Sequence, residues 1–136
     1  MTNNFPITQN TGDLLFYQTD DGQVRVEVRF EGDTVWLSQA QMAELFQTTK
    51  QNISLHINNI FEENELQPET TVKEYLTVQT EGKREVKRSI EHYNLDVIIS
   101  VGYRVKSHRG TQFRIWATKT LKDFSSMMTD RLILAV

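Results

Sequence analysis

Cysteine is absent from the 136 residues, so neither a disulfide framework nor a thiolate metal site is available, which suits a reducing compartment. Proline occurs twice and glycine six times, and no Pro/Gly-rich linker, internal repeat or low-complexity stretch divides the chain. Long hydrophobic runs are missing: nothing approaches the roughly 18 apolar residues of a membrane span. The opening MTNNFPITQNTGDLL has neither the basic region nor the apolar stretch of a secretory signal. A cytoplasmic protein with no membrane partner is expected. Positive charge is scarce in the first half, where Arg25, Arg29 and Lys50 face eleven acidic residues over positions 1–70, a net −8. Positions 71–136 hold twelve basic and seven acidic residues, a net +5, and the whole chain carries −3. That balance argues against an indiscriminate polyanion binder and puts any phosphate grip in the second half; ordinary scatter over a solvated surface is the bland alternative.

What is present suffices for one folded domain: 38% of the residues are hydrophobic and 10% aromatic. Residues 1–13 are polar, without a period, and read as a flexible N-terminal arm. Leu14 to Thr19, the turn Asp20-Asp21-Gly22 and the alternation of Val24, Val26, Val28 and Phe30 with Arg25, Glu27 and Arg29 predict a hairpin; Gly32-Asp33 turns the chain into a third strand, TVWLS. Ser38 and Gln41 form a capping-box pair that starts a helix to about Phe46, with Met42, Leu45 and Phe46 on its buried stripe. After Gln47-Thr48-Thr49 a second helix follows, its stripe Ile53, Ile57, Ile60 and Phe61, ending near Glu65. Either threonine can cap it, and Thr48 with Gln51 offers a second capping box.

Leu66-Gln67-Pro68 breaks the helix, and TVKEYLTVQT and REVKRSIEHY around Glu81-Gly82-Lys83 predict a β-hairpin of the kind called a wing. Asn94 caps a helix over LDVIISVGYRV, apolar almost all round and expected in the core with Tyr103 and Trp116. Ser107 to Gly110 reads as a polar loop, and Phe113, Trp116, Ala117, Leu121 and Phe124 place a last amphipathic helix from Thr111 to about Phe124. Residues 125–136 depart from that pattern and form an atypical tail. The expected fold is α+β: a winged helix-turn-helix over residues 14–124, with a short N-terminal antiparallel sheet, a hairpin wing and two C-terminal helices.

The segment LSQAQMAELFQTTKQNISLHI carries the functional reading. Ala43 stands where two helices cross, Gln47-Thr48-Thr49 forms the short turn and Ile53 anchors the second helix, as a helix-turn-helix requires. Gln47 occupies the position usually held by glycine and must adopt its backbone conformation. An ordinary helical hairpin packed in a core is the competing reading. At 100° per residue the face opposite the isoleucines carries Gln51, Ser54, Leu55, Asn58 and Asn59. Amides there suit adenine and Leu55 suits a thymine methyl, although an isolated surface leucine is common. The expected base-reading set is Thr49, Lys50, Gln51, Ser54, Leu55 and Asn58. The expected phosphate contacts are Ser38, Gln41, Lys83, Arg84, Lys87, Arg88, Lys106 and Arg109, with His108 beside the last two; pairing of these cations with the acidic first half is the alternative.

Catalytic chemistry is not assembled by the sequence. His56, His92 and His108 are far apart and show no metal-ligand spacing, Ser100 and Ser107 lack a nucleophile-elbow context, and Gly102 is isolated from any phosphate-cradling motif. No enzyme, metal or cofactor is expected.

VRFEGDTVWLSQAQMAELFQTTKQNISLHINNIFEENEL and VQTEGKREVKRSIEHYNLDVIISVGYRVKSHRGTQFRIWATKTLKDF resemble the RhuM family of virulence-associated bacterial proteins over about residues 14–124. The resemblance implies a DNA-binding module with Ala43 to Ile57 as its helix-turn-helix and Asn94 to Phe124 as supporting helices. Some family members carry a following Fic domain, but its HxFxxGNGR motif does not occur here. The combined expectation is a transcriptional regulator of a mobile or genomic-island locus that binds double-stranded DNA as a homodimer, at the nucleoid when bound. The rival is a protein-interaction or antirepressor-like module docking a regulatory protein or partner toxin.

Overall fold

A computed structural model describes residues 13–135, with side chains through residue 123. It has an α+β fold with five antiparallel strands and, among the described residues, five helices. The strands are β1 Asp13–Gln18, β2 Arg25–Glu31, β3 Thr34–Ser38, β4 Val72–Glu81 and β5 Arg84–Asn94, in spatial order β1-β2-β3-β5-β4. The helices are α1 Gln39–Phe46, α2 Lys50–Glu62, α3 Pro68–Thr71, α4 Leu95–Arg104 and α5 His108–Ala135. Asp13, assigned to the arm, begins β1; the rest of the arm lies outside the described residues.

The tight turns follow from glycine. Glu31 pairs with Thr34 across Gly32-Asp33, and Glu81 with Arg84 across Gly82-Lys83. Each loop has a positive φ at its glycine alone, 69° at Gly32 and 64° at Gly82, the backbone demanded at the first central position of a type II′ hairpin.

Period-two alternation then sorts the side chains. Val26, Val28 and Phe30 on β2, Val35 and Leu37 on β3 and Tyr93 on β5 face the helices and join Met42, Leu45, Ile53, Ile57, Ile60, Val97, Val101 and Phe113 in one core. The opposite face carries a smaller aromatic group: Trp36 lies 6.3 Å from Tyr75, and Tyr75 lies 5.1 Å from His92, all three buried. The Arg29 guanidinium sits 4.2 Å over the Tyr75 ring, the Tyr75 hydroxyl donates to Glu31, and Lys73 pairs with Glu31 at 3.3 Å. This cluster joins the root of the β4–β5 hairpin to β2 and β3.

The N-terminal strands and the hairpin form one sheet. β5 pairs with β3 through Trp36↔Asn94, Leu37↔Tyr93 and Ser38↔His92, so the hairpin is continuous with the N-terminal strands. Beyond that junction it runs on as a two-stranded ribbon from the Tyr75↔Ile90 pair to the Glu81↔Arg84 pair, about 20 Å at 3.4 Å per residue.

Other elements shift in extent. α2 ends at Glu62, because Asn64 turns left-handed with φ 60°. Pro68 opens the four-residue α3, its missing amide being harmless in a first turn. α5 begins at His108, inside the predicted loop, and its backbone continues to Ala135. An apolar stripe marks where a helix is covered, and nothing in residues 124–135 is a helix breaker, so the end of the stripe did not mark the end of the helix. The Phe124 side chain, and those of the tail, lie outside the described residues. Tyr103, expected in the core, is 81% exposed, whereas Val97, Ile98, Val101 and Gly102 form the buried side of α4. Trp116 is half-buried and packs 4.9 Å from Tyr17 and 5.7 Å from Phe30.

Candidate nucleic-acid interface

The first helix starts as its sequence predicts. Ser38 Oγ accepts from the Gln41 amide at 3.2 Å, and Gln41 Oε1 accepts from the Ser38 amide at 2.8 Å. The reciprocal cap engages both residues expected at phosphate, and Ser38 is only 8% exposed. Gln41 keeps its Nε2 for another acceptor.

Three residues then reverse the chain into α2. Gln47 adopts φ 55° and ψ 52°, the left-handed conformation usually left to glycine, and its Nε2 donates to the Glu44 carbonyl at 2.7 Å. The amide of Thr48 closes the turn on Ala43 O at 3.0 Å. Thr49 caps α2, its Oγ1 accepting from the Asn52 amide at 3.1 Å. Thr48 instead accepts from the Asn52 side chain at 3.0 Å, so the second capping box, Thr48 with Gln51, does not form. That leaves the Gln51 side chain unused by the cap.

α2 buries Ile53, Ile57 and Ile60. Gln51, Leu55 and Asn58 are exposed, Ser54 and Asn59 are half-buried beside them, and Leu55 has 56% of its surface in solvent. Glu62 continues the Leu55–Asn58 side one turn further on, so the exposed face runs from Lys50 at its start to a carboxylate at its end. The positive end of the helix dipole coincides with the lysine.

Lys50 also lines a concavity of ≈ 330 Å³ with Ser38 and Gln39 at the start of α1 and with Gln79, Ser89 and Glu91 of the hairpin. Gln39 Nε2 donates to Tyr93 Oη at 3.0 Å at its base. The fold thereby brings the start of α2, the start of α1 and the hairpin to one hollow. Gln39, Gln79 and Ser89 were not singled out in the sequence; only the β3–β5 pairing, some 55 residues apart in the chain, brings them together.

The basic residues separate into two groups. Arg88 makes a two-pronged contact with Glu81 at 2.6 and 2.8 Å, which holds the Glu81 carboxyl below its usual pKa. Arg104 donates to Glu63 at 2.9 Å and Glu65 at 2.8 Å, and Arg109 lies 3.8 Å from Asp21. For Arg104 and Arg109, pairing with the acidic first half is therefore realised. Among the described residues, Lys50, Lys83, Arg84, Lys87 and Lys106 form no ion pair. Alternation sets Lys87 on the strand face of Tyr93, and Arg84 and Arg88 on the opposite face. His56 is half-buried on α2, and His92 is buried with Nδ1 2.9 Å from Ile90 O. No cluster of three or more His, Asp or Glu able to hold a metal occurs among the described residues, and no helix there is long and apolar enough to cross a membrane.

Comparison with known families adds one observation. Residues 70–131 match the Virulence protein RhuM family. The RhuM match takes in the end of α3, the β4–β5 hairpin, α4 and most of α5, a shorter span than the resemblance over residues 14–124. α1 and α2 precede it. No curated protein and no solved structure matches the chain.

Proposed function

We propose that this chain is a sequence-specific DNA-binding protein with a winged helix-turn-helix, entering the major groove with the start of α2 and laying the β4–β5 hairpin along the flanking backbone. The observation that carries the reading is the shared hollow, in which Lys50 of α2 adjoins both the start of α1 and the hairpin. DNA carries about one negative charge per 1.7 Å of duplex, and an uncharged reading face needs a grip supplied from elsewhere. Lys83, Arg84 and Lys87 offer that grip. Gln51, Ser54, Leu55 and Asn58 read base edges, and Thr49 and Lys50 approach them from the first turn. The terminal Glu62 favours entry by the N-terminus of α2, with its C-terminal end tilted away from phosphate. Bound as a homodimer, two copies of α2 would meet successive major grooves about one helical turn apart, and the protein would regulate transcription of a mobile or genomic-island locus.

Selection of bound duplexes from a random pool tests the reading directly. An enriched motif, weakened when Asn58→Ala is introduced, supports base reading by α2. Recovery of no motif at low salt would sink it and leave a protein-docking module in its place.

A further inference from the structure

A second concavity, of ≈ 380 Å³, lies between α4 and α5 and shares no lining residue with the α2–hairpin hollow. Its floor is the crossing of Gly102 and Gly110, where two helix backbones touch without intervening side chains. Ile99 and Tyr103, one turn apart on α4, line one wall, and Arg114 of α5 lines the other, with Lys106 at the junction. Tyr103 is 81% exposed, and Ile115, next to Arg114, is 55% exposed. Among the described residues, neither Lys106 nor Arg114 forms an ion pair, and no carboxylate lines the groove.

We propose that this groove docks an acidic peptide segment of another protein, seating one aromatic or branched apolar side chain between Ile99 and Tyr103 and its flanking carboxylates on Lys106 and Arg114. Charge selects the occupant. A second copy bound symmetrically through the same groove would bring each cation toward its own duplicate, which disfavours self-association here. A nucleic-acid backbone would use the cations but leave the apolar wall at Ile99 unmatched. An acidic segment with an apolar anchor satisfies both, and an exposed tyrosine is a residue type that anchors interfaces. The first half of the chain narrows the choice: with a net −8, residues 1–70 repel an acidic partner, which leaves the second half, where this basic groove lies, to admit it.

The proposal stands apart from the DNA reading and is tested without DNA. The isotope-labelled full chain is titrated with three blocked peptides, Asp-Glu-Phe-Glu-Asp, its serine-centred counterpart and Lys-Lys-Phe-Lys-Lys, while backbone amide signals are followed. The phenylalanine peptide should shift Gly102, Tyr103 and Thr111, and the other two should not. Arg114→Glu should weaken binding by about tenfold or more, and Tyr103→Ser should weaken it while leaving the remaining amide spectrum in place. Absence of shifts up to millimolar peptide, shifts outside the groove, or equal binding of the serine or lysine peptide would overturn the proposal. Displacement of the peptide from the same amides by a short DNA would also overturn it, assigning the groove to nucleic acid.

Discussion

Gly102 and Gly110 meet across the α4–α5 crossing so closely that a Cβ built on either would stand 3.3 Å from the other's Cα, with the Phe46 ring 3.4 Å from the first. The obstacles are a helix backbone and a ring packed into the core. Gly102→Ala gains about 1 kcal/mol of helix propensity but forces the helices apart, an overpacking cost of about 1–3 kcal/mol. A net loss of about 1 kcal/mol is expected in urea denaturation. The double alanine variant should lose less than the sum of the single losses, because one substitution already spreads the pair.

Gln47 makes the opposite prediction. A non-glycine residue in the left-handed region is strained by about 1–2 kcal/mol, and the exposed bond to Glu44 O offsets only part of that. Gln47→Gly should therefore stabilise the fold by about 0.5–1 kcal/mol, and Gln47→Val should destabilise it. A lower urea midpoint for the glycine variant would contradict the strain at this turn.

Ser38 closes the α1 cap at the junction of sheet, helix and hairpin. Ser38→Ala should cost about 0.5–2 kcal/mol, with Ser38→Asp close to wild type, since a carboxylate also accepts from the first amides. Equal loss in both variants by thermal melting would place the effect outside the cap.

His92 predicts a pH dependence. Burial, opposed by its bond to Ile90 O and aided by the Arg29 charge, holds its pKa below the ordinary 6.5. The imidazole is thus neutral when folded, while the unfolded chain takes up a proton as pH falls through about 6.5. Stability from this group is full above that value and declines as pH drops toward the folded pKa. The lowered carboxyl groups of Asp21, Glu65 and Glu81 act only further down, in the carboxylate range. Denaturation of wild type and His92→Gln between pH 8 and pH 5, about one and a half units either side of 6.5, should show a shallower slope for the variant; parallel curves would remove His92 as the source.

The hairpin gives a salt prediction. Neutralising Lys83, Arg84 and Lys87 one at a time should each lower the slope of log K against log salt by about one for DNA binding. Arg88→Gln should change it less, because its guanidinium is already held by Glu81. Equal reductions at all four positions would show that the Glu81 pair opens on DNA.

Much of this was legible because it is local chemistry. Ser38, Gln41 and Asn94 announce helix starts through side chains that reach amides three residues on, and Gly32 and Gly82 announce two-residue turns. Arg88 was legible as a cation but not as a partner of Glu81, since that depends on hairpin register. Tyr103 was misplaced although its position was legible: at 100° per residue Asp96, Ser100 and Arg104 share one arc of α4 with Tyr103 at its edge, opposite the buried Val97, Ile98, Val101 and Gly102. The Thr48–Gln51 box failed because two threonines compete for one cap, and the backbone of the turn chose Thr49.

By itself, then, the sequence determined the order and kind of the elements apart from the short α3, the face of α2 turned from the core and the half of the chain that holds the positive charge. Periodicity, capping and turn residues act over a few positions and are written out in order. Tertiary structure alone decided that β5 joins β3, that the hairpin therefore stands beside Lys50, and that Gly102 and Gly110 draw two helices together beneath Tyr103. Those outcomes depend on contacts between distant segments, where many pairings satisfy the same local pattern and packing selects one.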